Sequence, residues 1–275
     1  MSHYSVLFRM SDGNFLASSD TPVDTLPSGF YRYDRGPYGV SFIPQAIEPS
    51  KIVLDIVQAN VYQKILSFWE ARQKYLDLGI THKRGILLYG PPGTGKTTLL
   101  RHTIKEHISS GGIVLSLNNT EEFPDSVNAL KDINGRDCRL LVVIEDIEES
   151  YEESLSTALD GIGAVDNTLF IATTNFLKRV SKRLSNRPSR FDEKIEMGYP
   201  VTTSRFAYIK ALSPSLSEDD IGFLTQISDE MSQAHIKELI IQKTIYGMGN
   251  EDLKTLAVKF KEQCADWEDE DEDDD

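Results

Sequence analysis

Only two cysteines, Cys138 and Cys264, occur in 275 residues. Two are too few for a disulfide framework, and no Cys/His cluster has the spacing of zinc ligands. Long hydrophobic runs are missing as well. Ile86–Tyr89 and Leu140–Ile144 are the longest apolar stretches, far short of the roughly 20 residues that span a bilayer. Met1–Phe15 has neither an apolar core of signal-peptide length nor the Arg/Ser richness of a presequence. These absences predict a cytoplasmic protein in a reducing compartment with no membrane partner. Positive charge is also scarce: 43 acids face 29 Lys and Arg, for a net charge of −14. Nine of those acids crowd around Trp267 in residues 266–275, which leaves −5 on the other 265 residues. A mildly acidic body is unfavourable for DNA, because phosphate contacts supply most non-specific affinity.

What remains is ordinary globular composition, 40% hydrophobic and 26% charged, long enough for one large domain or two modest ones. Residues 1–50 are rich in turns and aromatics. Tyr31 and Tyr33 alternate, Asp34-Arg35-Gly36-Pro37 forms a turn, and Tyr38, Val40 and Phe42 alternate again, which predicts a β-hairpin. A helical stretch, Val61–Leu78, follows. Residues 51–200 then alternate apolar strands with amphipathic helices. The predicted strands are Gly85–Tyr89, Ile113–Leu117, Arg139–Ile144, Thr168–Thr173 and Lys194–Met197, and Leu155, Ala158, Leu159 and Ile162 carry the helical i, i+3, i+4, i+7 spacing. Such alternation implies a parallel sheet covered on both faces. Residues 201–264 read as a small helical domain with segments near Arg205–Leu212, Glu218–Ile227, Gln233–Tyr246 and around Leu253–Cys264. Residues 265–275 form an acidic tail, expected to be disordered because its charges repel and only Trp267 could be buried.

The most specific signal is Gly90-Pro91-Pro92-Gly93-Thr94-Gly95-Lys96-Thr97, which fits G-x-x-x-x-G-K-[ST] between an apolar strand and a helix start. Chance would place that pattern in roughly 1% of chains of this length. Glycines let backbone N–H groups turn inward around phosphates, and the helix N-terminus adds the positive end of a dipole. Lys96 can reach the β- and γ-phosphates, the Thr97 hydroxyl can ligate Mg²⁺, and Thr98 extends the nucleotide-binding run. The implied cofactors are ATP and Mg²⁺.

The third predicted strand, Leu140–Ile144, ends in Glu145 and Asp146. Two carboxylates after an apolar strand suit phosphoryl transfer, one holding Mg²⁺ and the next orienting the attacking water. The usual order is Asp then Glu. The reversal puts Glu145 on the magnesium side and the shorter Asp146 on the water side; a catalytically dead pair is the alternative.

These residues resemble the AAA ATPases, in the clade with the second region of homology, over about residues 50–250. Ala172-Thr173-Thr174-Asn175 is similar to the sensor-1 segment, which implies Asn175 beside the γ-phosphate and attacking water. Leu184-Ser185-Asn186-Arg187-Pro188-Ser189-Arg190-Phe191-Asp192 resembles the R-P-G-R-F-D box, so Arg187 and Arg190 would be fingers that reach the neighbouring subunit's nucleotide. Leu159-Asp160-Gly161 also recurs in the family. Met231-Ser232-Gln233-Ala234-His235-Ile236 is similar to the lid's S-G-A-D-I helix start, which places Ala234 by the adenine, while Gln233 and His235 depart from the pattern. The subfamily of the mitochondrial chaperone that translocates the Rieske iron–sulfur protein shares the reversed Glu145-Asp146 pair, a Val53-Leu54-Asp55 segment and an Arg84–Gly90 strand of this kind. That chaperone's membrane anchor and presequence are not expected here. The resemblance implies a P-loop NTPase αβα sandwich with a five-stranded parallel sheet, a small C-terminal helical lid and a short β-rich N-terminal extension. It also implies a homo-oligomeric ring of six or seven subunits in which the fingers complete each site in trans.

The substrate is less legible. The stretch Asn118–Pro124 lacks the aromatic-apolar-Gly triplet of protein-threading rings, and Phe123 is its sole aromatic. The expected function is therefore remodelling of a protein or assembly, with a nucleic-acid motor and a regulatory nucleotide-gated ATPase as the alternatives. The aromatic hairpin with Phe30, Tyr31, Tyr33, Tyr38 and Phe42 either stacks bases or forms a small β core. His82, His102 and His107 read as surface residues, and Cys138 as a packed thiol. The acidic tail is either a solubilising spacer or a docking peptide anchored by Trp267.

Overall fold

A computed structural model describes residues 6–9, 15–18, 25–36, 39–47, 52–117, 123–147, 166–180 and 190–272. The predicted hairpin is there: β3 (Gly29–Gly36) pairs antiparallel with β4 (Gly39–Pro44) in the register Tyr33↔Phe42. Two shorter strands, β1 (Val6–Arg9) and β2 (Phe15–Ser18), extend it through β2–β4 pairing. The five strands expected further along are β5 (Lys83–Tyr89), β6 (Ile113–Ser116), β7 (Leu140–Ile144), β8 (Thr168–Thr174) and β9 (Glu193–Glu196). Among the described residues these strands make one sheet, in the order β1-β2-β4-β3-β6-β7-β8-β5-β9.

The five-stranded parallel array is as expected, but the N-terminal strands do not form a separate unit. Residues Gly29–Arg32 of β3 run parallel to Ile113–Ser116 of β6 and continue the sheet. Leu26, Tyr31, Tyr33, Val40 and Phe42 are buried in the same core as Leu115, Leu130, Val142 and Phe170. This corrects the base-stacking alternative: Tyr31, Tyr33 and Phe42 are inward-facing core residues, with Tyr33 and Phe42 packed edge to face at 5.9 Å. The period-two pattern forces that outcome, since alternate residues of a strand share one face and the sheet buries this one.

The inner strands β7 and β8 are buried along their whole length because both faces are covered, whereas the edge strand β9 reads Glu-Lys-Ile-Glu and is only partly buried. On one side α1 (Ile56–Glu70) and α3 (Lys96–Ser109) bring Val61, Ile65, Leu99, Leu100 and Ile104 against Ile86, Leu88, Val143 and Ile171. The opposite face packs Leu87, Val142 and Phe170 against Val127 and Leu130 of α4 (Phe123–Asn134). The predicted Val61–Leu78 helix begins earlier and breaks: α1 starts after Asp55, and α2 (Arg72–Asp77) follows Ala71. Asp55 and Gln58 form a reciprocal capping box that fixes the start.

The C-terminal helical domain matches expectation closely. It comprises α5 (Thr202–Leu212), α6 (Glu218–Ile227), α7 (Gln233–Thr244) and α8 (Asn250–Glu272) around Ile209, Leu224, Met231, Ile236, Leu239 and Leu253. Helix α8 runs on to Glu272, through most of the acidic segment expected to be disordered. Once a helix is anchored by Leu253 and Ala257, each further residue avoids the cost of nucleation. Among the described residues no helix is long and apolar enough to cross a membrane.

The histidine expectation needs correction too. His82 is 0% and His107 3% exposed, whereas His102 is half-buried against Tyr62. His82 stacks on Phe68 with its ring nitrogens 2.8 Å from Phe68 O and 3.0 Å from Asn167 Oδ1. Interior partners at both ring nitrogens offset the cost of burying the ring, which no spacing rule registers. Cys138 packs against the core of the α4 face, as expected of a structural thiol. The Leu155–Ile162 helical pattern, Leu159-Asp160-Gly161, Asn118–Glu122 and Arg187 lie outside the described residues.

Candidate nucleotide site

Strand register brings the site together. In the sheet β8 lies between β5 and β7, with Tyr89 opposite Thr174 and Ile144 opposite Ala172. Gly90, Glu145-Asp146 and Asn175 therefore emerge side by side at the carboxyl ends of three adjacent strands. The chain leaves β5 toward β6 on one side and leaves β8 toward β9 on the other. Such a switch point is where open α/β sheets leave a crevice for a ligand.

The crevice is a cavity of about 450 Å³. Gly93, Lys96, Thr97, Asp146, Asn175 and Ala234 all line it, as do Pro92, Gly95 and Thr98. The loop that carries these residues needs its glycines. Gly90, Gly93 and Gly95 have φ of 134°, 76° and 92°, and a Cβ on Gly90 would stand 2.5 Å from Met197 O. Gly95 caps α3 in the left-handed conformation, so the first N–H groups of the helix face the cavity without a side-chain cap. The Thr94 hydroxyl donates to Pro91 O at 2.9 Å, which braces the loop from within.

Lys96 is 6% exposed and donates to Gly90 O at 2.6 Å and Pro91 O at 2.9 Å. Burial pulls its pKa down to about 8, opposed by the nearby Asp146 carboxylate. The two carboxylates are not equivalent. Asp146 lines the cavity, has φ of 52°, and its N–H donates to Thr173 Oγ1 at 3.0 Å. Glu145 is exposed but is not part of the cavity lining. The residue facing Lys96 and Thr97 is thus Asp146, and the expected placement of Glu145 on the magnesium side is not what the geometry favours. A left-handed residue straight after the strand turns the second carboxylate inward in place of the first.

Sequence reasoning also missed part of the lining. Ile52, Val53, Tyr208 and Leu212 form an apolar wall, and Arg101 and Lys237 bring two cations. Tyr208 and Leu212 are four residues apart on α5, so one helix face presents both, but nothing in the sequence says which face meets the sandwich. Burial, then Asp55, raises the Tyr208 pKa, so its phenol stays neutral. The lid docks directly on the loop, with Ala234 N–H donating to Gly93 O at 3.1 Å.

Arg190 is described, and it is 4% exposed. It sits where the chain crosses β5: a Cβ on Gly85 would overlap the Arg190 carbonyl, and Asp192 Oδ2 accepts from Gly85 N–H at 2.8 Å. Sequence reasoning expected Arg190 to reach a neighbouring subunit's nucleotide; within its own chain it is buried, with its backbone held against β5.

The sequence profile of the ATPase family associated with various cellular activities (AAA) matches residues 86–199. This chain carries an AAA ATPase domain. The match runs from β5 through the phosphate loop, Asp146 and Asn175 to the end of β9. The domain is similar to the ATPase family gene 2 protein of Saccharomyces cerevisiae, 31% identical over 167 residues that cover 53% of this chain and 21% of the relative. It is similar to the human mitochondrial chaperone BCS1, 25% identical over 202 residues, or 65% of this chain and 47% of that one. A proteasome-activating nucleotidase of Saccharolobus islandicus is 25% identical over 248 residues, 76% of this chain and 63% of the relative. The chain thus spans between about a fifth and under two thirds of the length of these relatives.

Proposed function

We propose that the AAA domain hydrolyses ATP in the cavity between sandwich and lid, and that it works within a homo-oligomeric ring to remodel a protein or protein assembly. The observation that carries this reading is the convergence of Lys96, Thr97, Asp146 and Asn175 on one cavity roofed by the lid. The apolar wall of Val53, Tyr208 and Leu212 suits a base, and the glycine-rich loop suits a triphosphate. Lys96 neutralises phosphate charge. Asp146 accepts the proton of an attacking water, and the Asn175 amide orients that water. The Thr97 hydroxyl is a hard oxygen donor of the kind Mg²⁺ takes together with phosphates. Bound Mg²⁺ would neutralise developing charge on the phosphate oxygens.

Arg187 is the residue we assign to the neighbouring subunit's site, since Arg190 is buried in its own chain. A trans arginine is worth on the order of 10³-fold or more in rate. A protein substrate is favoured over nucleic acid because the aromatic hairpin is core, the charge is −14, and two relatives are named as a chaperone and a proteasome-activating nucleotidase. Mixing Arg187→Ala with Lys96→Ala subunits tests the shared site. Partial recovery of ATPase activity over either variant alone is expected. No recovery at any mixing ratio would rule out a site built from two subunits.

A further inference from the structure

Three polar side chains beneath the phosphate loop form a closed hydrogen-bonded cycle. The Asp55 carboxylate accepts from Gln58 N–H at 2.8 Å, and Gln58 Oε1 accepts from Asp55 N–H at 2.9 Å. Gln58 Nε2 donates toward Gln233 Oε1 at 3.1 Å, and Gln233 Nε2 donates back to Asp55 Oδ2 at 2.7 Å. The same Gln58 amide faces Thr94 O at 3.2 Å and Gly95 O at 3.3 Å. Gln58 is 0%, Gln233 4% and Asp55 7% exposed. A buried network of this kind is stable only while every member keeps its partner. The fit is also tight, because a Cβ on Gly95 would overlap Gln58 Nε2 and stand 2.5 Å from Gln233 Oε1.

The network ties three parts of the structure together. Asp55 and Gln58 start α1 on the sandwich, Thr94 and Gly95 shape the phosphate loop, and Gln233 is the first residue of lid helix α7. We infer that the Asp55–Gln58–Gln233 cycle is a latch that holds the lid closed on the phosphate loop and so sets how fast nucleotide leaves. The inference rests on reading the cavity as the nucleotide site. Swinging the lid away removes Gln233, which leaves the Asp55 carboxylate and the Gln58 amide short of buried partners. It also frees Ala234 N–H from Gly93 O. The loop carbonyls held by Gln58 then lose their support, at the turn where α3 begins. Gln58 is a positioning residue that acts on nucleotide through the loop; Gln233 also lines the cavity, so exchange in the nucleotide-free protein is what reads its latching role apart from contact with nucleotide.

Two measurements test the latch. In the nucleotide-free protein, hydrogen exchange at the Ala234 amide reads lid opening directly, and Gln233→Ala is expected to speed it about tenfold or more, the equivalent of one buried hydrogen bond to a charged group. Release of a fluorescent ADP analogue is expected to quicken by a similar factor in Gln233→Ala and in Gln58→Ala. The double variant should add little to either single change, because one break opens the cycle. Gln233→Glu separates latching from simple loss of packing. It keeps an acceptor for Gln58 but sets a second carboxylate against Asp55, with the Tyr208 phenol, the Asp146 carboxylate and the Lys96, Arg101 and Lys237 cations as the other ionisable groups that line the cavity. At pH 7 the two carboxylates repel and release is fast; at pH 5.5 the protonated side chain donates to Asp55 and release slows toward the wild-type rate. Unchanged Ala234 exchange, or a Gln233→Glu release rate that does not vary with pH, overturns the latch. A wild-type protein that binds no ADP analogue overturns the nucleotide reading instead, and the exchange experiment still decides whether the lid is latched.

Discussion

The two ends of the parallel strands handle buried charge in opposite ways. At the carboxyl ends Lys96 donates to two loop carbonyls, lines a cavity of about 450 Å³ and faces Asp146 across it. At the amino ends Lys131 is as deeply buried, and its ammonium donates to Arg136 O at 3.1 Å, Cys138 O at 2.8 Å and Asp166 O at 2.6 Å. Burial lowers the pKa of both lysines. Each end also has a non-glycine residue in the left-handed region, Asp146 with φ of 52° and Asn167 with φ of 56°. Asn167 is tied down by donating to Asp137 O at 2.7 Å, whereas the Asp146 side chain is exposed toward the cavity. A buried cation and a strained backbone therefore do not by themselves mark a site. Open space does not separate the ends either, since a cavity of about 580 Å³ lined by His107, Arg139 and Asn167 lies at the amino ends; what distinguishes the carboxyl ends is the glycine loop and uncapped helix start in front of theirs.

That contrast can be broken by substitution. The largest effect is expected at Asp146. Asp146→Asn should retain nucleotide and lower turnover by about 10²- to 10³-fold, while Glu145→Gln should change it far less, because only Asp146 lines the cavity. Equal losses would show that the outer carboxylate shares the chemistry. Next, Lys96→Ala should weaken nucleotide binding about 100-fold by removing a charged donor to phosphate, with little loss of stability. Lys131→Met should do the reverse. It leaves three carbonyls short of a donor and costs about 2 kcal/mol, part of the penalty being offset by no longer desolvating an ammonium, and nucleotide affinity should be unchanged. Denaturant unfolding and nucleotide titration of the same two proteins check both halves; a Lys131→Met protein that lost nucleotide affinity would blur the contrast.

The legible parts were those whose cause is local. Strand ends follow from apolar runs, so β5 to β9 fall close to expectation, and the lid helices do too because Leu253, Leu256, Ala257 and Phe260 repeat at helical spacing. The phosphate loop was legible because its chemistry fixes both residue type and order. Non-local facts were not. Parallel pairing of β3 with β6 joins residues some eighty positions apart, and it turned an apparent extension into part of the main sheet. Which of Glu145 and Asp146 faces inward depends on one backbone torsion. Gln233 stood out only as a departure from a pattern, since its partners Asp55 and Gln58 lie more than 170 residues away. The Asp-x-x-Gln capping box at Asp55 was visible in the sequence and would have moved the start of α1 to its observed place.

The smallest perturbation sharpens the same comparison through pH. His107 closes the amino-terminal end of the sheet, tilted against Trp69 at 4.8 Å with Nε2 3.3 Å from Arg139 O. Burial, reinforced by the Arg139 charge, depresses its pKa to about 4. In the unfolded chain the same imidazole takes a proton near pH 6.5. Between those values the unfolded state binds more protons, so stability is full above about pH 6.5 and is lost as pH falls toward 4. The loss traceable to this one group is about 3 kcal/mol. His107→Gln has no titrating ring: it should be less stable than wild type at pH 7, and the gap should close or reverse near pH 4. Urea unfolding of both proteins at matched pH values checks this, and a gap independent of pH would mean that His107 does not carry the acid sensitivity. Nucleotide affinity at pH 7 should be the same in both, since the histidine lies at the opposite end of the strands from the cavity lined by Lys96, Thr97 and Asp146.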